Sequence, residues 1–343
     1  MTVRAPRVRG VELVLVAAGL ALFAGLVSRL GGGTLLEHLR SVGAGIVLVI
    51  AQEVLAVTAN TLGWRAAFPT RPAPPFGRLF AARIAGDAVN YLTPTGSLGG
   101  EFVRARLLEG GTTRLDVATS IAVAKVSQTV GQVAFVGAGL TLVLATIPVA
   151  AGLRVMLVPG LAALAAFALA LLLAQRRGVF APLLRLAARR GPLARFAHLD
   201  ERLQRLDERI AGVHRAPGRP FLVSCAWFFL GWVLGTVEIA LMLWLLGVPV
   251  TATRALAIEA LSVAVDAMLF FVPGKVGTQE GGKVLIFTAL GLDPGVGLAV
   301  GVLRRARELS WALAGLLIVA RAGLAHRHDR DAAGVPSARL TAE

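Results

Sequence analysis

The sequence has a single cysteine, Cys225, which rules out an internal disulfide framework and any cysteine-based zinc or iron–sulfur centre. Acidic residues are scarce. Twenty Asp+Glu face 35 Lys+Arg, for a formal charge of +15 and a pI near 11.6. Charged residues make up only 16% of the chain, against about a quarter in a soluble domain, so a polar surface cannot easily be covered. There is no HExxH, no Gly-x-Ser-x-Gly elbow and no GxxxxGK[ST] loop. All five histidines (38, 198, 214, 326 and 328) lie outside the long apolar runs. His326-x-His328 and Asp329-Arg330-Asp331 belong to a polar tail. No catalytic constellation, metal site or cofactor motif is read, and the chain is expected not to be an enzyme.

What remains is apolar. Hydrophobic residues make up 56% of the 343, and mean hydropathy is +0.73. A basic soluble protein would suggest nucleic acid. Combined with runs long enough to cross a bilayer, about 20 residues each, the charge points to a membrane with a basic face and no nucleic-acid partner. Six runs qualify: roughly 11–30, 42–65, 117–147, 153–174, 221–246 and 297–321. The first follows Arg4, Arg7 and Arg9 but has no small-residue cleavage pattern, so it is expected to be a retained signal-anchor helix.

Arginine placement predicts the orientation. Segment 176–220 holds eleven Arg against four acids, a net +7. Loop 66–83, the N-terminus and the tail are also basic, whereas 148–152 and 247–253 carry no charge. The positive-inside rule puts the basic segments and both termini in the cytoplasm. Within 176–220, Phe196, Leu199, Leu203, Leu206 and Ile210 recur at helical spacing. This cytoplasmic linker is an amphipathic helix, lying either on anionic lipid headgroups or in a solvated hairpin.

Two regions, 78–112 and 255–291, are apolar but broken centrally by Pro and Gly. Their arms suit half-crossing helices that turn back, although the arm 255–272 could nearly span. A shift of 179 residues superposes them: Asp87 on Asp266, Pro94 on Pro273, Glu101 on Glu280, Arg104 on Lys283 and Lys125 on Arg304. The expected fold is therefore an all-α polytopic membrane protein with six spanning helices plus two re-entrant broken helical hairpins. Residues 1–323 form a single integral membrane domain, and 324–343 form a disordered cytoplasmic tail. Repeat A covers about 42–147 and repeat B about 221–323. The orientation rule makes the repeat inverted, an architecture that puts a substrate site where broken helices meet.

The hairpin residues carry the chemistry. After each break a helix restarts, with Ser97 and Thr278 as expected N-caps. Free amides there attract anions, and Gly99, Gly100 and Gly277 would let a headgroup approach the backbone. Glu101 with Arg104, and Glu280 with Lys283, are three apart and can pair. Such pairs suit a zwitterionic headgroup, exchange of a partner for a cationic substrate, or simple neutralisation in lipid. Asp87 and Asp266 either pair with cations, titrate, or serve a structural role. Lys125 and Arg304 either grip a phosphate from two sides or neutralise neighbouring acids, with Arg305, Arg307 and Glu308 close by. Asn90, Lys275 and Gln279 complete the expected substrate-binding set. Gln52, Glu53, Asn60 and Glu238 are expected to hydrogen-bond to one another within the bundle.

At Leu92-Thr-Pro-Thr-Gly-Ser-Leu-Gly-Gly-Glu101 with Arg104, and at Phe271-Val-Pro-Gly-Lys-Val-Gly-Thr-Gln-Glu-Gly-Gly282 with Leu303-Arg-Arg-Ala-Arg-Glu-Leu309, the chain resembles a known family. It is similar to the lysylphosphatidylglycerol synthase transmembrane region, the flippase-like half of bacterial multiple-peptide-resistance factors, and most to the stand-alone hopanoid-biosynthesis-associated branch. The resemblance covers about 10–325. It implies a lipid flippase or transporter of the bacterial cytoplasmic (inner) membrane, moving a polar-headed or hopanoid-type lipid between leaflets. The implied path is Pro94, Gly99, Gly100, Glu101, Arg104, Pro273, Gly277, Glu280 and Arg304. Only about 20 polar residues follow 321, so lysyl transfer is not expected. The alternatives are a membrane enzyme of lipid or hopanoid biosynthesis, or an accessory protein that partners such enzymes without transport.

Overall fold

The computed structural model describes residues 10–70, 72–92, 98–109, 111–146, 151–177, 200–215, 219–249, 251–268, 275 and 277–332. Every regular element among the described residues is helical. The first, α1, is Gly10–Leu30, and a short α2, Gly32–Val42, leads through a 3-10 turn into α3, Ile46–Ala66. The first hairpin is α4, Phe76–Leu92, and α5, Leu98–Leu107. Two long helices follow, α6 (Arg114–Thr146) and α7 (Ala151–Arg177), then α8, Asp200–Arg215. The second half repeats the pattern as α9 (Arg219–Leu245), α10 (Ala252–Met268), α11 (Thr278–Ala289) and α12 (Pro294–Ala332). The chain is an all-α polytopic membrane protein. Stretches 32–66, 114–146 and 219–245 are each long and apolar enough to cross a bilayer. Helices α1, α7 and α12 cover the other expected runs.

Local chemistry sets the helix ends. Thr113 Oγ1 accepts from the Asp116 N–H at 3.1 Å and donates to Asp116 Oδ2 at 2.7 Å, closing the start of α6. Asp293 Oδ1 accepts from the Gly295 N–H at 2.6 Å, beside Pro294 at the first position of α12. The expected Thr278 cap is not formed. The N-cap of α11 is Gly277 at φ 73°, and the Thr278 hydroxyl donates to the Lys275 carbonyl at 3.1 Å. Left-handed backbone favours glycine at that position. Ser97, the other expected cap, lies outside the described residues, as do Pro94, Pro273 and 178–199.

The packing shows how the halves relate. On adding 179, the bounds of α3, α4, α5 and α6 fall within a few residues of most bounds of α9–α12. The equivalent helices α3 and α9 run in opposite directions. Gly45, near the start of α3, meets Leu245 at the end of α9, while Gly63, near the end of α3, meets Phe228 near the start of α9. Exchange contacts match as well: α4 packs on α12 as α10 packs on α6, and α3 packs on α4 as α9 packs on α10. Such mutual exchange is the signature of a two-fold relation. The repeat is therefore inverted.

Two apolar clusters mark the two ends. One joins Trp64, Phe68, Leu79, Leu108, Val117, Ile210 and Phe228. The other joins Val42, Val49, Leu140, Met242, Leu246, Val296 and Leu303. The two arms of the first hairpin are joined at the first end, where Arg78 near the start of α4 donates to the carbonyls of Leu107, the last residue of α5, and Glu109 at 3.4 and 3.0 Å. Three sequence expectations are revised here. Arg83 is not in a loop but buried inside α4. The later part of the apolar stripe, on α8, packs on protein, with Leu206 and Ile210, and Val213 beside them, in the first cluster and Arg209 paired to Asp116 at 2.7 Å, while Phe196 and Leu199 lie outside the described residues. Finally, α12 continues to Ala332, past the expected start of the tail.

Polarity is arranged inside-out. Val47, Leu48, Leu55, Phe102, Trp244, Leu285 and Leu313 are exposed, while Arg104, Glu238, Glu259, Glu280, Lys283 and Arg304 are buried. Water would penalise such a surface, whereas a hydrocarbon solvent leaves the apolar exterior at rest and forces charges to pair internally.

Candidate functional site

The first hairpin assembles one ion network. Arg104 donates to both carboxylate oxygens of Glu101 at 2.8 Å and also pairs with Asp87. Lys125 Nζ reaches Glu101 at 3.0 Å, and Arg83 lies 3.5 Å from Asp87 one turn back. The Arg83 and Arg104 guanidiniums lie 5.7 Å from the ring centroids of Phe228 and Trp64, respectively. The expected Glu101–Arg104 pair is thus formed.

The second hairpin uses equivalent positions differently. Lys283 does not pair with Glu280. It bonds to the Ser262 hydroxyl and lies 3.9 Å from Glu259. Glu280 pairs instead with Arg305 at 2.9 Å, and Asp266 with Lys275 at 3.0 Å. Arg304 bridges Glu238 at 2.9 Å and Glu259 at 2.7 Å. Arg307 holds Glu238 at 3.0 Å and also pairs with Glu53. Gln279 donates to Glu308 at 3.0 Å. The physical reason for the rewiring is composition. Repeat B carries Glu238 and Glu259 where repeat A has Ala59 and Phe80, and Ser262 where repeat A has Arg83. The extra carboxylates draw Arg304 and Lys283 away from Glu280.

Glu53 and Glu238 therefore serve as partners of Arg307, not of each other, and Gln52 donates to the Leu234 carbonyl at 2.9 Å. The glycines are also reassigned. A Cβ on Gly100 would sit 2.2 Å from the Gly86 carbonyl oxygen and 2.4 Å from the Asn90 side chain, whose Oδ1 accepts the Gly100 N–H at 2.8 Å. A Cβ on Gly277 would sit 1.9 Å from the Gly19 carbonyl oxygen on α1. Both close approaches are made by the protein's own backbone. Gly99 is half-buried on the same turn.

The second network lines a cavity of about 670 Å³, walled by Glu53, Glu238, Glu259, Asp266 and Glu308, by Lys275, Arg304 and Arg307, and by Asn60, Gln128, Gln132, Phe167 and Trp232. Lys125 is not in this wall; it lines a crevice with Arg83, Arg104 and Gln128, the last of which also walls the cavity, and it pairs with Glu101. A smaller cavity of about 250 Å³ is lined by Glu53, Val57, Ile84, Asp87, Ala88, Tyr91, Arg307, Glu308, Trp311 and Ala312. Glu53, Arg307 and Glu308 border both cavities.

The cavities are themselves repeat-related. On adding or subtracting 179, the smaller wall's Glu53, Ile84, Asp87, Ala88, Arg307, Glu308 and Trp311 fall on Trp232, Val263, Asp266, Ala267, Gln128, Thr129 and Gln132 of the larger wall.

Sequence reasoning missed Glu259, Arg83, Ser262, Tyr91 and the clamp role of Arg305. An acid in the middle of the apolar arm 255–268 was a readable signal for Glu259. Arg305 had no distinguishing signal beside two other arginines. In the structure its guanidinium donates to the Tyr91 hydroxyl at 2.7 Å and to the Lys275 carbonyl at 2.9 Å.

A charged, walled interior inside an apolar-surfaced inverted repeat defines a class, the polytopic membrane protein built around a polar cavity. Within that class the chain belongs to the lysylphosphatidylglycerol synthase TM region family, whose model matches residues 11–315, and it is a membrane protein tied to lipid handling. No curated protein and no solved structure matches it significantly.

Proposed function

We propose that this protein is a lipid flippase or transporter that moves a polar-headed lipid between leaflets without altering it chemically. The observation that carries this reading is the cavity of about 670 Å³ with eight charged residues in its wall, formed where the inverted repeats meet beneath an apolar exterior. A headgroup fits such a chamber while the acyl chains stay against the hydrophobic surface. Five carboxylates and three bases line it. This balance suits a headgroup carrying an amine beside its phosphate, because each charge exchanges one wall partner for another. The reading places the basic end, with 66–76 and 200–215, and both termini in the cytoplasm of a bacterial inner membrane. A role beside hopanoid biosynthesis follows from the sequence resemblance. The test is reconstitution into vesicles with fluorescent phospholipids of several headgroups. Wild type is expected to equilibrate one class across the bilayer and return it unchanged by mass spectrometry. Asp266→Asn with Glu308→Gln, both in the cavity wall, in protein that stays folded, is expected to abolish this. Undiminished movement by the double variant refutes the reading.

A further inference from the structure

The two repeat-related cavities differ in volume, about 250 against about 670 Å³. The hairpin arms also pack differently in the two halves: α5 lies mainly on α4, whereas its equivalent α11 lies mainly on α12, so the halves hold different arrangements. The contacts that lack a counterpart identify what favours this arrangement. Arg305 joins Tyr91, in the wall of the smaller cavity, to Glu280 and to the backbone of the opposite hairpin. The equivalent positions are Val126 and Phe270, which can form no such bond.

We propose that the two cavities are alternate states of one pathway, expanding and contracting reciprocally, and that Arg305–Tyr91 is the latch that keeps the Asp87 cavity contracted. The partition shared by both chambers, Glu53–Arg307–Glu308, is then the barrier a headgroup passes. This inference rests on the transport reading, since it names how access alternates. Two repeat-related alanines report the states: Ala88 in the smaller wall, buried and packed against Gly315, and Ala267 in the larger wall.

The experiment places single cysteines, Ala88→Cys or Ala267→Cys, in a Cys225→Ser background, and measures rates of modification by a charged, water-soluble maleimide. In the otherwise unchanged chain, Ala267→Cys is expected to react fast and Ala88→Cys slowly. Tyr91→Phe removes the latch bond without unpairing Glu280. It is expected to raise the Ala88→Cys rate about tenfold, the scale of one hydrogen bond to a charged group, and to lower the Ala267→Cys rate. Arg305→Met with Glu280→Gln is expected to act in the same direction. A rise at 88 without a fall at 267, or no change at either site, overturns the proposal. Labelling requires no lipid, so the two readings fail separately. Reciprocal labelling without lipid movement in vesicles sinks only the transport reading. Lipid movement without reciprocity sinks only this one.

Discussion

Arg304 is a buried cation shared by two buried carboxylates, and its replacement by methionine tests the logic of the interior. The side chain is 7% exposed and bridges Glu238 and Glu259, themselves 3% and 5% exposed, at 2.9 and 2.7 Å. In Arg304→Met, Glu238 keeps Arg307 at 3.0 Å, but Glu259 keeps only Lys283 at 3.9 Å. Removing one member of a buried pair costs ~3–5 kcal/mol, because the remaining charge stays desolvated. At ~2–4 °C per kcal/mol, the unfolding midpoint should fall by about 10 °C, measured by tryptophan fluorescence in detergent. Glu259→Gln should cost less, since Arg304 retains Glu238. The combination of Arg304→Met with Glu259→Gln removes one charge of each sign and should recover more than half of the loss. The coupling is read from the cycle of single and double variants. If the double variant is no more stable than Arg304→Met alone, the network is not what holds these helices together.

Three further outcomes follow from the packing. Gly100→Ala should disrupt the first hairpin, because its Cβ would meet the Gly86 backbone at 2.2 Å, whereas Gly25→Ala meets nothing within 4 Å and should leave the midpoint unchanged or slightly raised; parallel melts decide. Gly277→Ala combines a φ of 73° with a backbone collision against Gly19. It should therefore loosen α1 from α11, seen as faster hydrogen exchange in 17–30. Arg209→Ala leaves Asp116 with the Thr113 hydroxyl but without its cation. Since Arg209 is half-exposed, the loss should be only ~1 kcal/mol, and exchange should rise in 200–215 more than in α6.

The long apolar runs, the broken hairpins and the 179-residue repeat were legible because each is a property of local composition. Glu101 and Arg104 pair as their spacing implied, and the structure adds Asp87, whose role the sequence left open, to the same guanidinium. Glu280 and Lys283 have the same spacing but do not pair, because their partners come from other helices, Arg305 of α12 and Glu259 and Ser262 of α10. The amphipathic pattern of α8 announced a helix but not what its apolar face would cover. That face found Trp64, Val117 and Phe228 of the bundle.

The sequence by itself determined the solvent, the helices, the inversion and the set of ionisable groups carried into the membrane. Hydrocarbon tolerates few alternatives to an apolar helix, and arginines partition to one side. Only the tertiary structure decided which charge meets which, that Gly100 and Gly277 serve backbone packing, and that equivalent walls enclose unequal cavities. These outcomes depend on cations competing for a few carboxylates that lie from 25 to 254 residues away in sequence. In a low-dielectric interior that competition is settled by distance, which the one-dimensional pattern does not contain.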